Sequence, residues 1–402
     1  MKSATAITYE LDDISVALEE LVAQIREKIV LDEQSVGILY SQPDTDVGEL
    51  SGLLSKELGF DIVGGTTGCG GLLSTQGYHD LAVILHVMTA SDCVFSVSMS
   101  PDLSADPEQG IIDTYNDALK KLQEKNADAS PKMVFCIAPL LENYSPDSCL
   151  ETLDGAVSGL PVFGFIAADD FEYFNQKVYF NDECYSDRIA LILISGNVNP
   201  VFEVRTLAGS RTLSKRHVTK AHDNIICEID GKPAYEYLAE FPFINKDSGS
   251  LFNYQFFVEM QNEADNDGVP VSRVLNTYDK ATGEIVCFAS VPQDSYIGLL
   301  CCDCEDVKIT SKKAFESLAE KIDNIQKQSG YEYSSVFVAN CTIRNMFLAD
   351  DKVIDGELIN AVIPSNIVSS GSYAYGEIAP TSVRNGKAVN RFHNATITIC
   401  AI

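Results

Sequence analysis

A pattern of an apolar strand, a polar loop, a helix and a second strand ending at glycine occurs three times along this chain of 402 residues. The copies span residues 36–71, 133–170 and 336–376. In each copy, roughly 30 residues lie between the start of the first strand and the first glycine of the second, which is the length of a βαβ unit. The pattern therefore predicts three βαβ-like units.

Further strand-like runs follow each copy, at residues 81–88, 188–194 and 396–399. Gly, Asn and Asp residues between these runs favour hairpins, which pair strands in the antiparallel direction. We therefore predict an α/β fold with mixed sheets, in which antiparallel strands extend the βαβ-like units.

The length of the chain exceeds that of one ordinary hydrophobic core, so two or more domains are expected. Residues 12–29 carry apolar side chains at helical spacing and predict an amphipathic N-terminal helix. A polar stretch at residues 217–223 precedes a new strand, a turn at Asp230–Gly231 and a helix near Pro233. These features predict an N-terminal helix at 1–32 and domains at 33–224 and 225–402.

The charge balance excludes one class of partner. The chain has 29 Lys and Arg residues against 58 Asp and Glu residues, a formal charge of −29. Such a field repels a phosphate backbone, so we predict no nucleic-acid binding.

The apolar runs are too short for a membrane span, and the N-terminus lacks the apolar middle of a signal peptide. We expect a soluble cytoplasmic protein without membrane insertion.

The sequence does not predict a metal site. Twelve cysteines are scattered along the chain, and Cys301, Cys302 and Cys304 form their one cluster. Neighbouring residues of a strand point to opposite faces, and a tetrahedral zinc site needs four ligands. The acidic loop at residues 262–268 lacks the ligand spacing of an EF-hand and predicts a solvated turn.

The third copy carries polar side chains in an apolar setting, as a small-molecule pocket does. Tyr373, Tyr375 and Glu377 alternate along a predicted strand, so we expect them to share one face. In one interpretation they line a pocket and Glu377 binds a cationic head. In the other, the tyrosines belong to the core and Glu377 caps a turn.

Cys341 and Arg344 follow the first strand of the same copy. If the two strands are parallel neighbours, their carboxyl ends meet at one sheet edge, where α/β proteins commonly bind ligands. There Arg344 either holds a carboxylate in a bidentate fork or pairs with Glu377. Together the two charges suit an amino-acid-like zwitterion.

Other candidate residues have weaker support. His393 and Asn394 are adjacent on a predicted strand, so one side chain points inward and the other outward. Thr66, Thr67 and Asp169 lie beside glycines of the first two copies. The glycines indicate close approach of the backbone to a ligand or to another strand, and packing is the interpretation we adopt.

Several of these motifs together resemble the FIST (F-box and intracellular signal transduction) family, from about residue 33 to the end. The motifs are Gly64-Gly-Thr-Thr-Gly68, Gly164 to Asp170, Tyr179-Phe-Asn181, Ile229 to Ala234, Val336 to Arg344, and the closing tyrosine and histidine segments. The resemblance implies a sensory protein for small polar ligands such as amino acids. It also implies that the signal passes to a separate histidine kinase, cyclase or chemotaxis receptor.

Two alternatives to a ligand sensor stay open. The first is a cysteine-dependent enzyme, with Cys341 as nucleophile and His393 as base, or with Cys69 acting in its glycine-rich turn. The second is a haem- or metal-based gas sensor, which the resemblance suggests and for which no CxxCH attachment motif is present. We predict no cofactor and no enzymatic activity.

Overall fold

The computed structural model describes residues 1–142, 144–207, 211–244, 251, 254–259 and 269–402. The acidic loop at 262–268, predicted as a solvated turn, lies outside them. Over the described residues the chain forms α-helices and four β-sheets, three of which combine parallel and antiparallel pairs. The predicted α/β class with mixed sheets is confirmed.

The chain contains three successive repeats of the same order of elements, and the third repeat also carries an insert and an additional helix. The first repeat consists of β1 (Lys2–Thr8), α1 (Ile14–Lys28), β2 (Gln34–Ser41), α2 (Val47–Leu58), β3 (Asp61–Thr66), β4 (Gly71–Ser74), β5 (Gly77–Asp80) and β6 (Val83–Ala90). The second consists of β7 (Cys93–Met99), α3 (Pro107–Lys125), β8 (Pro131–Ala138), α4 (Pro146–Val157), β9 (Val162–Ile166), β10 (Val178–Phe180), β11 (Glu183–Tyr185) and β12 (Ala190–Gly196).

The third repeat begins with β13 (Val201–Thr206) and is then interrupted by an insert. The insert consists of β14 (Arg211–His222), β15 (Ile225–Ile229), β16 (Lys232–Pro233), α5 (Ala234–Ala239), β17 (Gln255–Glu259), β18 (Val271–Asp279), β19 (Glu284–Cys287) and β20 (Tyr296–Cys301). The repeat resumes with α6 (Cys304–Ser329), β21 (Ser335–Cys341), α7 (Thr342–Leu348), α8 (Ile354–Val362), β22 (Val368–Ala374), β23 (Gly376–Arg384), β24 (Lys387–His393) and β25 (Thr396–Ala401).

The helices begin and end where local chemistry dictates. In α1, the side chain of Asp13 accepts hydrogen bonds from the amides of Ser15 and Val16, which satisfies groups that the first turn leaves unpaired. The buried face of the helix carries Leu21 and Ile25 at helical spacing. The helix predicted at residues 12–29 is therefore present.

The repeats build equivalent four-stranded cores, in the orders β1-β6-β2-β3, β7-β12-β8-β9 and β13-β25-β21-β22. In each core the last two strands are parallel and joined through a helical crossover, while the other pairs are antiparallel. The three predicted βαβ units are these parallel pairs with their crossovers.

Each repeat donates a hairpin to the sheet of another repeat. The β4–β5 hairpin extends the third sheet beside β22, β10–β11 extends the first beside β3, and β23–β24 extends the second beside β9. Between each four-stranded core and its hairpin the chain passes from one sheet to another. At these three positions, backbone hydrogen bonds join the first repeat to the third, the second to the first and the third to the second. The amide of Gly68 donates to Tyr373 O at 2.8 Å, that of Ala168 to Thr66 O at 2.9 Å, and that of Tyr375 to Ile166 O at 3.1 Å.

The first glycine in the second strand of each copy is required for a steric reason. Gly64, Gly164 and Gly371 lie opposite residues of the neighbouring parallel strand in all three repeats. A Cβ atom at these positions would lie 1.9, 1.8 and 2.4 Å from a carbonyl oxygen of that strand. Only glycine allows the two backbones to approach so closely.

The insert forms a separate antiparallel sheet of seven strands with its own apolar core. Arg273 joins this sheet to the repeats, because its guanidinium donates to Asp147 Oδ1 at 3.1 Å and to Phe392 O at 3.1 Å. Residue 224 lies in the turn between β14 and β15. The division at this position into domains 33–224 and 225–402 stays a prediction.

Candidate functional site

A cleft opens where the carboxyl ends of β8, β9, β21 and β22 meet, between the second and third repeats. Strands β21 and β22 are parallel neighbours, as the sequence predicted. The cavity between the walls is small, with a volume of about 30 Å³. The lining residues are Leu140, Pro146, Phe171, Tyr173, Val274, Phe288, Cys341, Thr342, Ile343, Tyr375, Phe392 and Asn394. We call this space the aromatic cleft.

The walls of the aromatic cleft are largely aromatic. The rings of Tyr173 and Tyr375 stack at 4.9 Å between centroids, and those of Tyr173 and Phe288 at 6.0 Å. Phe171 packs against both Tyr173 and Tyr375. Because the second repeat supplies Tyr173, the third supplies Tyr375 and the insert supplies Phe288, the cleft depends on the association of all three parts.

Asp169 holds the loop that carries Phe171 and Tyr173. Its carboxylate accepts hydrogen bonds from the backbone amides of residues 172–175 at 2.8 to 3.1 Å, and from the phenol of Tyr375. Burial alone would raise the pKa of Asp169, but these hydrogen bonds outweigh burial and hold that pKa below its usual range. Asp169 therefore positions the cleft wall rather than facing a ligand.

Tyr373 and Tyr375 do not share a face, so this prediction is wrong. Tyr373 is the next-to-last residue of β22 in the third sheet, and its phenol donates to Asp355 Oδ2 at 2.9 Å in the core beneath α6 and α8. Tyr375 lies in a bend, and the chain enters the second sheet at Gly376. The side chains do not alternate regularly here because the chain changes sheets.

Arg344 does not line the cleft. Its guanidinium is fully buried and donates to Asn340 Oδ1 at 2.8 Å, Thr310 Oγ1 at 3.1 Å and Ser311 Oγ at 2.7 Å. The expected fork for a ligand carboxylate is therefore wrong, since these donors bind α6 and the end of β21. Burial lowers the pKa of Arg344, and the charge of Asp355 opposes that shift.

Glu377 lies inside β23, opposite Phe165 and His393, and does not cap a turn. It is fully buried, and neither carboxyl oxygen has a hydrogen bond of good geometry to another residue that the structure describes. The nearest polar groups are the thiol of Cys341 and the amide of Thr396. Burial raises the pKa of Glu377 well above its ordinary value, although the charge of Arg344 opposes the shift.

Asn394 lines the aromatic cleft, whereas His393 points away from it into the protein. The side chain of Asn394 is 98% buried, and its Oδ1 has no hydrogen-bond partner within the part of the chain that is described. Nε2 of His393 donates to Ala379 O at 3.2 Å. Asn394 thus brings a buried amide oxygen without a hydrogen-bond partner into the wall of this largely apolar space.

Thr66 and Thr67 lie at the junction between repeats. The hydroxyl of Thr67 donates to Gly71 O at 2.7 Å and accepts from the amide of Tyr373 at 3.0 Å. Thr66 Oγ1 accepts from the amide of Lys177 at 2.9 Å. Their contacts are those of packing residues, the interpretation adopted from the sequence.

Sequence reasoning missed most of the aromatic wall. Phe171 and Tyr173 follow the glycine-ended strand of the second repeat, just as Tyr375 follows that of the third, and this equivalence was available in the pattern. Phe392 is next to the predicted His393, and the apolar character of the strand gave no sign of a pocket. Phe288 comes from the insert, far from any motif.

The thiols of Cys341 and Cys69 have raised pKa values, unlike the thiol of a cysteine nucleophile. Burial raises the pKa of Cys341 well above its ordinary value, and the charge of Glu377 adds to the shift. Burial and Asp170 together raise the pKa of Cys69 to about 12. A cysteine nucleophile needs a lowered pKa, so neither thiol is activated in this state.

Two further observations concern metals and membranes. Among the residues that the structure describes, no group of three or more His, Cys, Asp or Glu side chains is arranged to hold a metal ion. No helix formed by these residues has the length and apolar character needed to cross a bilayer.

Family models match most of the chain. A FIST N domain model matches residues 35–232, and a FIST C domain model matches residues 234–380. The chain belongs to the FIST family. FIST domains are sensory domains associated with small-ligand binding in signal transduction. The resemblance inferred from the glycine, tyrosine and histidine motifs is confirmed.

Other comparisons give only remote similarity for this FIST protein. A cyanuric acid hydrolase from A. caulinodans is 9% identical, with 99% of this chain and 98% of that chain covered and a TM-score of 0.34. PurLQS from Thermotoga maritima is 11% identical, with coverages of 99% and 72% and a TM-score of 0.21. No curated protein matches.

Proposed function

We propose that this FIST protein is a cytoplasmic sensor that binds a small ligand, of about the size of an amino acid, in the aromatic cleft. The observation that carries the proposal is the unpaired Oδ1 of Asn394, buried in an aromatic wall at the carboxyl ends of parallel strands. Ligands of α/β proteins commonly bind at such an edge, held by a few polar groups in an apolar pocket.

The energetics of burial support a bound ligand. An amide oxygen removed from water without a partner costs about 1–3 kcal/mol, and most such atoms in folded proteins are satisfied. A ligand that donates a hydrogen bond to Asn394 would recover this energy and bury its own apolar surface against Leu140, Val274 and Ile343. Because the open space is narrow, the aromatic rings must separate as the ligand enters.

The position of the cleft supports a sensory role. Its walls come from the second repeat, the third repeat and the insert, so a ligand that separates the rings moves these parts relative to one another. Helix α7 begins at Thr342 in the cleft wall, and two residues later Arg344 is bonded to α6. We propose that α6 and α7 carry the change toward a separate histidine kinase, cyclase or chemotaxis receptor.

A thermal-shift panel of amino acids, amines, short peptides and polar metabolites tests the proposal. A ligand present at about 100 times its dissociation constant stabilises the folded protein by roughly 2.7 kcal/mol. We expect Asn394→Ala to abolish the shift and Asn116→Ala, on the exposed face of α3, to retain it. No shift with any compound, or an equal shift in Asn394→Ala, would overturn the proposal.

A further inference from the structure

Resting on this proposed function, we propose that the ligand is an organic amine with an apolar body and no carboxylate. Its ammonium group binds Asn394 Oδ1 and the aromatic faces of the cleft. The carboxylate of Glu377, behind the thiol of Cys341, supplies the opposite charge.

The wall of the cleft contains one buried acceptor that lacks a donor among the described residues. None of the twelve lining residues is charged. The buried orphan atom of the wall is the acceptor Oδ1 of Asn394, and both oxygens of Glu377, one side chain behind Cys341, also lack hydrogen bonds of good geometry. An ammonium group has three donors and no acceptor, so it matches this arrangement.

The aromatic wall favours the same charge. Ring faces carry negative potential and attract a cation within about 6 Å of the ring centroid. Tyr173 stacks against Tyr375 and against Phe288, so three aromatic rings lie around the same small space. The apolar side chains Leu140, Val274 and Ile343 provide contact for a hydrocarbon body.

A carboxylate would find no positively charged partner among the residues that line the aromatic cleft. Arg344 and Arg273, each adjacent in the chain to a lining residue, are bound elsewhere. Arg344 donates to Asn340 and α6, and Arg273 donates to Asp147 Oδ1, Ser290 O and Phe392 O. An amino acid would therefore bury an unpaired negative charge, which is strongly unfavourable. This separates the proposed amine from the zwitterion expected from the sequence.

The environment of Glu377 determines whether a proton is released when the amine binds. Titratable or charged side chains facing it are Cys341 from β21, Arg344 from α7 and His393 from β24. Burial raises the pKa of Glu377 well above its ordinary value and so favours the protonated carboxyl, whereas an ammonium group bound in the cleft opposes this shift and favours release of the carboxyl proton to the buffer. The carboxyl O–H bond is the one bond that breaks, and the buffer accepts about one proton for each amine bound.

Titration calorimetry with two matched sets of compounds tests the inference. The sets are phenethylamine, 2-phenylethanol and phenylalanine, and isopentylamine, isopentyl alcohol and leucine. We expect each amine to bind at least about tenfold tighter than its alcohol and its amino acid, equivalent to about 1.4 kcal/mol. Titrations in buffers of different ionisation enthalpy should show the release of about one proton per amine, and this measurement needs no variant.

Glu377→Gln, which keeps the shape of the side chain, should abolish proton release and weaken amine binding about tenfold without changing alcohol binding. An alcohol or amino acid that binds as tightly as its amine would overturn the inference, as would amine binding without proton release. If all six probes fail while another compound stabilises the protein through Asn394, only the amine inference falls. If no compound binds the cleft, the proposed function falls as well.

Discussion

The phenol of Tyr375 donates its hydrogen bond to the carboxylate of Asp169 across the junction between the second and third repeats. The same carboxylate accepts hydrogen bonds from four backbone amides of the loop that carries Phe171 and Tyr173. One buried acid therefore connects a strand end of the third repeat to the wall-forming loop of the second. The shape of the aromatic cleft depends on this carboxylate.

Asp169→Asn is expected to loosen this loop. The neutral amide accepts fewer and weaker hydrogen bonds, and its NH₂ group faces backbone amides that are themselves donors. Because hydrogen bonds to a charged group contribute about 1.5–3 kcal/mol, we expect a loss of at least roughly 2 kcal/mol in the free energy of unfolding. Hydrogen exchange of residues 170–176 should accelerate most.

Asp170→Asn is the matched control for that variant. Asp170 is exposed and accepts one described backbone amide, that of Cys69 at 2.9 Å. It should change neither stability nor loop exchange by a comparable amount. Equal effects of the two substitutions would show that Asp169 does not organise the loop.

The glycines at the parallel strand pairs should be intolerant of alanine. In Gly64→Ala and Gly164→Ala the new methyl group would lie within 2 Å of a carbonyl oxygen, so the strands must separate. We expect losses above the roughly 1–3 kcal/mol usual for overpacking, measured by chemical denaturation.

For Gly155→Ala, the matched control, we expect a gain in stability instead of a loss. Gly155 is exposed in α4, and nothing lies within 4 Å of an added Cβ. Alanine there should raise the free energy of unfolding by about 0.5–1 kcal/mol, because glycine is a poor helix former. A similar loss in all three variants would contradict the steric explanation.

Tyr373→Phe should reduce stability without affecting the cleft. The variant removes the hydrogen bond from Tyr373 to Asp355, whose Oδ2 also accepts from Asn340 Nδ2 at 2.6 Å. We expect a loss of about 1–3 kcal/mol. Affinity for the amine that binds the wild-type protein best should stay within about twofold. A large loss of affinity would place Tyr373 in the binding site.

The buried His86 should make stability depend on pH. Its Nε2 lies 3.0 Å from Ser335 Oγ, its ring lies 4.6 Å from that of Phe337, and burial lowers the pKa of His86 to about 3. An unfolded histidine has a pKa of about 6.5. Between these values the unfolded state binds the extra proton. The contribution of His86 is therefore complete above pH ~6.5 and falls by up to about 1.4 kcal/mol per pH unit below it.

Denaturation midpoints of wild type and His86→Gln between pH ~7.5 and ~4.5 measure this contribution. The variant should show a shallower loss of stability on acidification. The exposed His222 serves as control, and His222→Gln should follow the wild-type curve. If His86→Gln follows that curve too, His86 is not held neutral by the fold.

The sequence by itself determined the repeating units, because helix and strand periodicity and close backbone approach are local properties. The strand–helix–strand copies, the glycines at their ends and the parallel neighbours β21 and β22 were all readable from residue spacing. The family followed from the same motifs.

Only the tertiary structure decided which repeat each hairpin joins and which side chains meet in the cleft. Tyr373 and Tyr375 separate because the chain changes sheets between them, and Arg344 binds α6 instead of a ligand. Phe288 reaches the cleft from the insert. The pairing of the hairpins and the composition of the cleft depend on packing between segments far apart in the chain. The alternation of side chains along a strand describes only neighbours within one sheet.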